Sequence, residues 1–271
     1  MLIDTHAHLN FNAYKDDVDN VIKRSLDDNV WMINVGSQLS TSKRAVELSE
    51  KYPEGVYAAV GLHPIHLSEG IFKTKIDKEE IEFNTREEEF DYEGYKKLAQ
   101  SEKVVALGEI GFDYWYRPKT KKKLEEFKNK QREVFKKQLE LARELNLPVI
   151  FHCRIAHQDL IESLNIKVSG VVHCFSGNWQ EAERYLEKGL HLGFNGIIFK
   201  LNLDEIIEKT PLERMLIETD CPYLTPPPME GRNEPIYVRH VAEKIARIKN
   251  INMQKISLQT TKNAKDLFAI S

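Results

Sequence analysis

The chain has 271 residues, 41% of them hydrophobic and 30% charged, with a formal net charge of −3 and three cysteines. That balance is able to bury a full core, no apolar run approaches the ~18 residues of a membrane span, and the slight acidity excludes a global basic footprint, so any nucleic-acid contact must be local. The odd, sparse cysteine set speaks against a disulfide framework and for a reducing cytoplasm.

Met1-Leu2-Ile3-Asp4 runs straight into a strand, with a notable histidine already at position 6, so no cleaved leader is expected. In chain order, β-rich runs fall at 2–6, 30–36, 56–62, 104–109, 148–152, 170–174, 191–195 and 214–219. Longer amphipathic stretches separate them. The clearest carries Val134, Phe135, Gln138, Leu141, Ala142 and Leu145 at the spacing of a buried helix face, and Pro148 stops it. Eight strand–helix alternations without a Gly/Ser linker or internal repeat predict a single (β/α)8 barrel of the TIM type over residues 1–271. A doubly wound sheet is the alternative, but it wants a Gly-rich loop after its first strand, where this chain has Thr5-His6-Ala7-His8.

Two segments stand apart. An acidic insertion at about 69–98, with most of its acids between Glu69 and Glu93, separates strands three and four and reads as a solvated helix or loop, with a lid as the sharper alternative. Residues 117–130 are basic, with Arg117, Lys119, Lys121, Lys122, Lys123, Lys128 and Lys130.

The chemistry lies at the strand ends. Strand one ends at His6 and His8, strand three at His63, strand four at Glu109, strand five at His152, strand six at His173 and strand eight at Asp220. A lone histidine there is usually structural, but barrel enzymes build their sites from converging C-terminal strand ends, and the recurrence reverses that judgement. His6 and His8, two apart, face one side of a strand. Glu109, between Gly108 and Gly111, can bridge two cations. One would be held by His6, His8, Glu109 and Asp220, the other by Glu109, His152 and His173. Mixed nitrogen and oxygen donors suit zinc, manganese or a similar divalent ion. Cys153, Cys174 and Cys221 each follow a candidate ligand, so alternation turns them away as packing residues.

Asp4-Thr5-His6-Ala7-His8-Leu9, Gly61-Leu62-His63-Pro64, Gly108-Glu109-Ile110-Gly111-Phe112-Asp113-Tyr114, Pro148 to Arg154, His173-Cys174-Phe175-Ser176-Gly177 and Glu218 to Leu224 closely resemble the motifs of TatD-type metal-dependent deoxyribonucleases. The likeness runs on through Arg232-Asn233-Glu234-Pro235 to Asn263–Phe268 and covers nearly the whole chain. It implies an amidohydrolase-type barrel with two divalent ions (zinc, manganese or magnesium) that hydrolyses DNA phosphodiesters, as a 3′-5′ exonuclease on single strands or 3′ ends. It implies the ligands His6, His8, Glu109, His152, His173 and Asp220, and puts His63 and Arg232 beside the substrate. Asp220 would orient the attacking water and take its proton, with Glu109 and His63 in the catalytic set. His63, Arg154 and Arg232 would bind phosphate, and Tyr114 a sugar or base. The acidic insertion departs from the family's usual connection and would repel a polyanion if it crossed the mouth. The competing readings are an amide, ester or lactone hydrolase of the same superfamily, including deacylation of nucleic-acid ends, and a metal-bound scaffold without catalysis. Related carbonyl hydrolases often bridge with a modified lysine where this chain has Glu109, and a scaffold would have lost ligands. No membrane partner is expected, and a monomer is favoured.

Overall fold

In the computed structural model the backbone is described for residues 1–68, 70–76, 79–85, 87–164 and 168–271, and the side chains for all of these but 70–76 and 79–85. The strands are β1 (Leu2–Ala7), β2 (Val30–Val35), β3 (Val56–Val60), β4 (Gly70–Ile76), β5 (Glu79–Thr85), β6 (Val104–Asp113), β7 (Val149–Arg154), β8 (Gly170–Val172), β9 (His191–Phe194) and β10 (Met215–Ile217). Eight of them form one parallel sheet in the order β1-β2-β3-β6-β7-β8-β9-β10, with helices on the connections. Strands such as β3 and β6 are buried along their whole length, as a parallel sheet covered on both faces requires.

The sheet curls until its last strand meets its first. The seam is closed by a parallel bridge between Ala7 and Cys221 and by the backbone bonds Asp220 N to His6 O (2.8 Å) and His8 N to Cys221 O (2.9 Å). Beneath them the buried Asp4 carboxylate accepts from the Thr219 amide at 2.8 Å and the Thr219 hydroxyl at 2.6 Å. This is the expected (β/α)8 barrel. Ile3, Ile33, Val105, Ile150, Val171 and Leu216, from six different strands, pack into one cluster with Ala264 and Phe268 of the C-terminal helix. The larger cluster joins the strands to the surrounding helices.

Two irregularities set which side chains reach the mouth. Strict alternation would put Ala7 with Ile3, yet Ala7 packs with Val21 and Ile22 of the Val18–Asp27 helix. The register shift between Asp4 and Ala7 allows this, and so turns His6 and His8 to the face opposite that helix. A second shift lies between Leu107 and Ile110 in β6. Ile110 and Phe112 then pack into the outer cluster, which leaves Glu109, Gly111 and Asp113 on the other face.

Several expectations are corrected. Strand four runs past Glu109 to Asp113. His8, His63, His173 and Asp220 lie just beyond their strands rather than at their final residues. Between β3 and β6 the backbone is an antiparallel β4–β5 hairpin followed by the Tyr92–Leu98 helix, not a helix or irregular loop throughout. Counting acids hid the period-two pattern, in which Lys73 stands opposite Glu82 and Lys75 opposite Glu80 in the register. Glu69 and Asp77 lie outside the described residues. Among the described residues no helix is long and apolar enough to cross a membrane.

Gly111 shows how tightly β6 and β7 are joined here. Its φ is +150°, and a Cβ would lie 2.0 Å from the His152 carbonyl oxygen. Gly111→Ala is expected to destabilise the fold by roughly 2–4 kcal/mol, read as a lower urea midpoint. An unchanged midpoint would mean that the two strands can separate freely at His152.

Candidate metal centre

Glu109 is buried at the centre of the site, and its two carboxylate oxygens face different neighbours. Oε2 lies 3.6 Å from His6 Nε2. His6 Nε2 is in turn 3.2 Å from His8 Nε2 and 3.8 Å from Asp220 Oδ1, and His8 Nε2 is 3.4 Å from the same Asp220 oxygen. Oε1 lies 2.6 Å from His152 Nδ1 and 2.6 Å from His173 Nε2, and those two nitrogens are 3.3 Å apart. The six side chains proposed as ligands lie around Glu109, and the groups of them compact enough to hold an ion are His6 with Glu109 and His173 and His6 with His8 and Asp220, so His6 and His173 are not divided between two separate sets.

The ring nitrogens have assignable roles. His8 Nδ1 is 2.8 Å from the Val35 carbonyl, which can only accept, so Nδ1 carries the proton and Nε2 presents its lone pair to the cluster. His152 Nε2 is 3.1 Å from Asp113 Oδ2 and donates there, while Nδ1, 2.6 Å from Glu109 Oε1, carries the proton that a bound cation would displace. His63 is different. Its Nδ1 accepts from the Ile65 amide at 3.0 Å, so the neutral ring carries its proton on Nε2, 3.7 Å from Glu109 Oε1. Because Nδ1 is already committed to a backbone proton, Nε2 cannot shed its own without leaving an imidazolate, so His63 is not placed to be a ligand. The grouping of His63 with Asp113 and His152 is therefore a hydrogen-bonding support and not a third cation site.

Electrostatics follow from crowding imidazoles around one carboxylate. Burial opposes the charge on Glu109, but His173 and the other nearby rings outweigh it and hold the carboxyl well below its ordinary range. Burial likewise opposes a charged His173, and Glu109 outweighs it, so that ring is held well above the usual imidazole value. Burial, then the neighbouring His173, pushes His6 down. Burial, then His152, pushes His63 well below its usual value, which keeps it neutral. Asp220 is held low against burial by its hydrogen bond to His8 and by His6 and His173. The centre is a buried cluster of imidazoles and carboxylates, and its mixed nitrogen and oxygen donors fit borderline divalent ions that would take the place of the ring protons. Burial raises all three thiols to about 12, and none of them belongs to a group compact enough to hold an ion among the described residues. Cys174 follows β8 at φ +46°, where strand alternation does not govern its direction.

The residues proposed for substrate are less uniform. Arg154 ends β7, with its guanidinium 4.4 Å from the centre of the Trp115 ring. Arg232 is engaged elsewhere: it forms a two-pronged pair with Asp17 at 2.9 and 2.6 Å, bonds the Ala13 carbonyl and lies over Tyr14. Tyr114 is corrected to a packing residue, since it is buried, stacks on Phe112 and donates its hydroxyl to Asp159 at 2.7 Å. Two functional neighbours had no role in the sequence reading. Asp113 orients His152, and Glu218 lies 3.6 Å from His173 Nδ1 and accepts from the Cys174 amide. Even spacing was the available signal, as Asp113 is four residues from Glu109 and Glu218 two from Asp220.

A family model described as TatD related DNase matches residues 3–269. An uncharacterized metal-dependent hydrolase, YabD of Bacillus subtilis, is 40% identical over 280 residues, with all of both chains covered. The protein described as 3'-5' ssDNA/RNA exonuclease TatD of Erwinia tasmaniensis is 31% identical, over 98% of this chain and 99% of its own. The crystal structure of YjjV, a TatD homolog from Escherichia coli, superposes with a TM-score of 0.83 at 28% identity, covering 100% of this chain and 98% of that one.

Asp113 tests the support of the centre apart from its ligands. Asp113→Asn keeps the shape but removes the charge that fixes the His152 proton on Nε2. Metal affinity is expected to fall about 10- to 100-fold, measured by titration with a chromophoric chelator as competitor. Wild-type affinity in that variant would show that His152 is oriented by its packing alone.

Proposed function

This chain belongs to the TatD related DNase family, and from that premise we propose that it is a divalent-metal-dependent phosphodiesterase that shortens single-stranded DNA from its 3′ end. The observation that carries the reading is the division of Glu109 between two sets of donors, Oε2 toward His6 and Oε1 toward His152 and His173. When bound, a pair of divalent ions supplies neutralisation of the phosphoryl charge and a more acidic attacking water.

The remaining work falls to this chain's own side chains. Asp220 is the carboxylate best placed to take a proton from the attacking water: its side chain is 15% exposed, against 5% for Glu109. His63, neutral with its proton on Nε2, is a hydrogen-bond donor to a phosphoryl oxygen. Arg154 supplies positive charge at the rim of the mouth. Arg232 contributes to phosphate binding only if a substrate oxygen competes with Asp17 for its donors. Glu109, His152 and Arg154 lie toward the ends of β6 and β7, and the C-terminal end of the strands is where barrel enzymes carry out their chemistry, which supports this reading.

The basic segment after β6 begins at that same end. Arg117 and Lys119 are exposed in the connection, and Lys121, Lys122 and Lys123 are exposed on the first turn of the Lys121–Glu144 helix. Lys128 and Lys130 are committed to Asp159 and Glu87. The first-turn lysines therefore extend the binding surface for the strand beyond the cleaved bond.

Two measurements test this account. Asp220→Asn retains a donor oxygen but not the base, so turnover on single-stranded DNA should fall by about 10²-fold or more, and by more than the metal content. Equal losses would reduce Asp220 to a ligand. Changing Lys121, Lys122 and Lys123 together to Gln should weaken oligonucleotide binding and lower the slope of log affinity against log salt by about 2. An unchanged slope would show that these lysines face solvent only.

A further inference from the structure

Among the three tryptophans only Trp115 is exposed, at 53%, while Trp31 and Trp179 are half-buried. An exposed indole forgoes the burial that usually holds this residue. Yet Trp115 is firmly placed. Its amide donates to Asp113 Oδ1 at 2.8 Å, and the other oxygen of that carboxylate takes the proton of His152. The amide of Tyr114, next to it, donates to the Arg154 carbonyl at 2.9 Å. The backbone that carries the ring is thus connected to the candidate metal centre through one carboxylate and one imidazole.

Arg154 completes the arrangement. Its guanidinium lies 4.4 Å from the Trp115 ring centre and 5.9 Å from that of Tyr116. It makes no ion pair among the described residues, whereas Arg24, Arg132, Arg232 and Arg239 all do. A cation backs one side of the indole, and the exposed remainder of the ring is left to the solvent at the mouth.

We propose that Trp115, backed by Arg154, is a stacking subsite for an unpaired nucleobase beside the scissile phosphate. The inference rests on the phosphodiesterase reading and adds the reason for preferring single strands. Every base has a π-face, so such a platform is tolerant of sequence, but a base inside a duplex does not offer that face. The unpaired charge of Arg154 suits the phosphate attached to the stacked nucleotide. Arg154 then serves two groups of the substrate, with Trp115 supplying the contact that the buried Tyr114 does not.

The test is equilibrium binding of a fluorescent single-stranded oligonucleotide with a non-hydrolysable terminal linkage, in added divalent metal. One version carries a 3′-terminal base and the other an abasic 3′ end. The wild type should prefer the base-bearing version by on the order of tenfold. Trp115→Ala should abolish that preference, and Trp115→Phe should restore most of it. A preference in Trp115→Ala equal to the wild type's would overturn the subsite and leave the hydrolase reading intact. A wild type that neither binds these oligonucleotides nor hydrolyses DNA would overturn both.

Discussion

One buried carboxylate among histidines governs this structure. An isolated Glu at the position of Glu109 would be forced neutral by burial. Here His173 and His152 lie 2.6 Å from one of its oxygens and His6 lies 3.6 Å from the other. Their attraction outweighs desolvation, so the carboxyl stays charged in the interior. The imidazoles depend on it in return, as Glu109 is what holds His173 above its ordinary value. Removing either partner leaves the other as an uncompensated charge, and a divalent ion resolves the same imbalance from both sides.

The barrel supplies what this pairing needs. Its donors come from β1 and the residue after it, from β6 and β7, and from the turns after β8 and β10. The seam matters most, because the hydrogen bond from the Asp220 amide to the His6 carbonyl sets those two side chains side by side. Asp220 reaches this position with a left-handed backbone, φ +58°, a conformation that costs most residues about 1–3 kcal/mol and Asp less. The Asp4–Thr219 bonds fasten the chain at the residue just before that turn. Closing the barrel and assembling half of the site are one event.

Much of this was legible in the sequence, because barrel topology turns a one-dimensional pattern into a point. His6 and His8, Glu109, His152, His173 and Asp220 come from distant parts of the chain, yet each lies in the C-terminal half of a strand or just after one, and parallel strands finish at one mouth. What remained hidden depended on register or on partners. The reach of strand four to Asp113 follows from the shift between Leu107 and Ile110, which no periodicity reveals. Tyr114 and Arg232 looked available in their motifs, and the structure gives them Asp159 and Asp17 instead. The acidic insertion concealed a hairpin because its acids alternate with apolar residues on β5 and stand opposite lysines on β4. The carboxylates behind the histidines, Asp113 and Glu218, were in view but carried no distinguishing signal beyond even spacing.

The mouth and the centre are physically continuous. Asp113 accepts from both the His152 ring and the Trp115 amide, so a single side chain sets the orientation of a ligand and the start of the rim loop. The central claim is that Glu109 is shared by two cations, and the most direct measurement is a crystal structure of the metal-loaded protein with anomalous scattering, paired with metal analysis in solution. The account predicts two ions per chain, both in contact with Glu109, one on the His6–His8–Asp220 side and one on the His152–His173 side. A single ion, or a second one that does not touch Glu109, would contradict it.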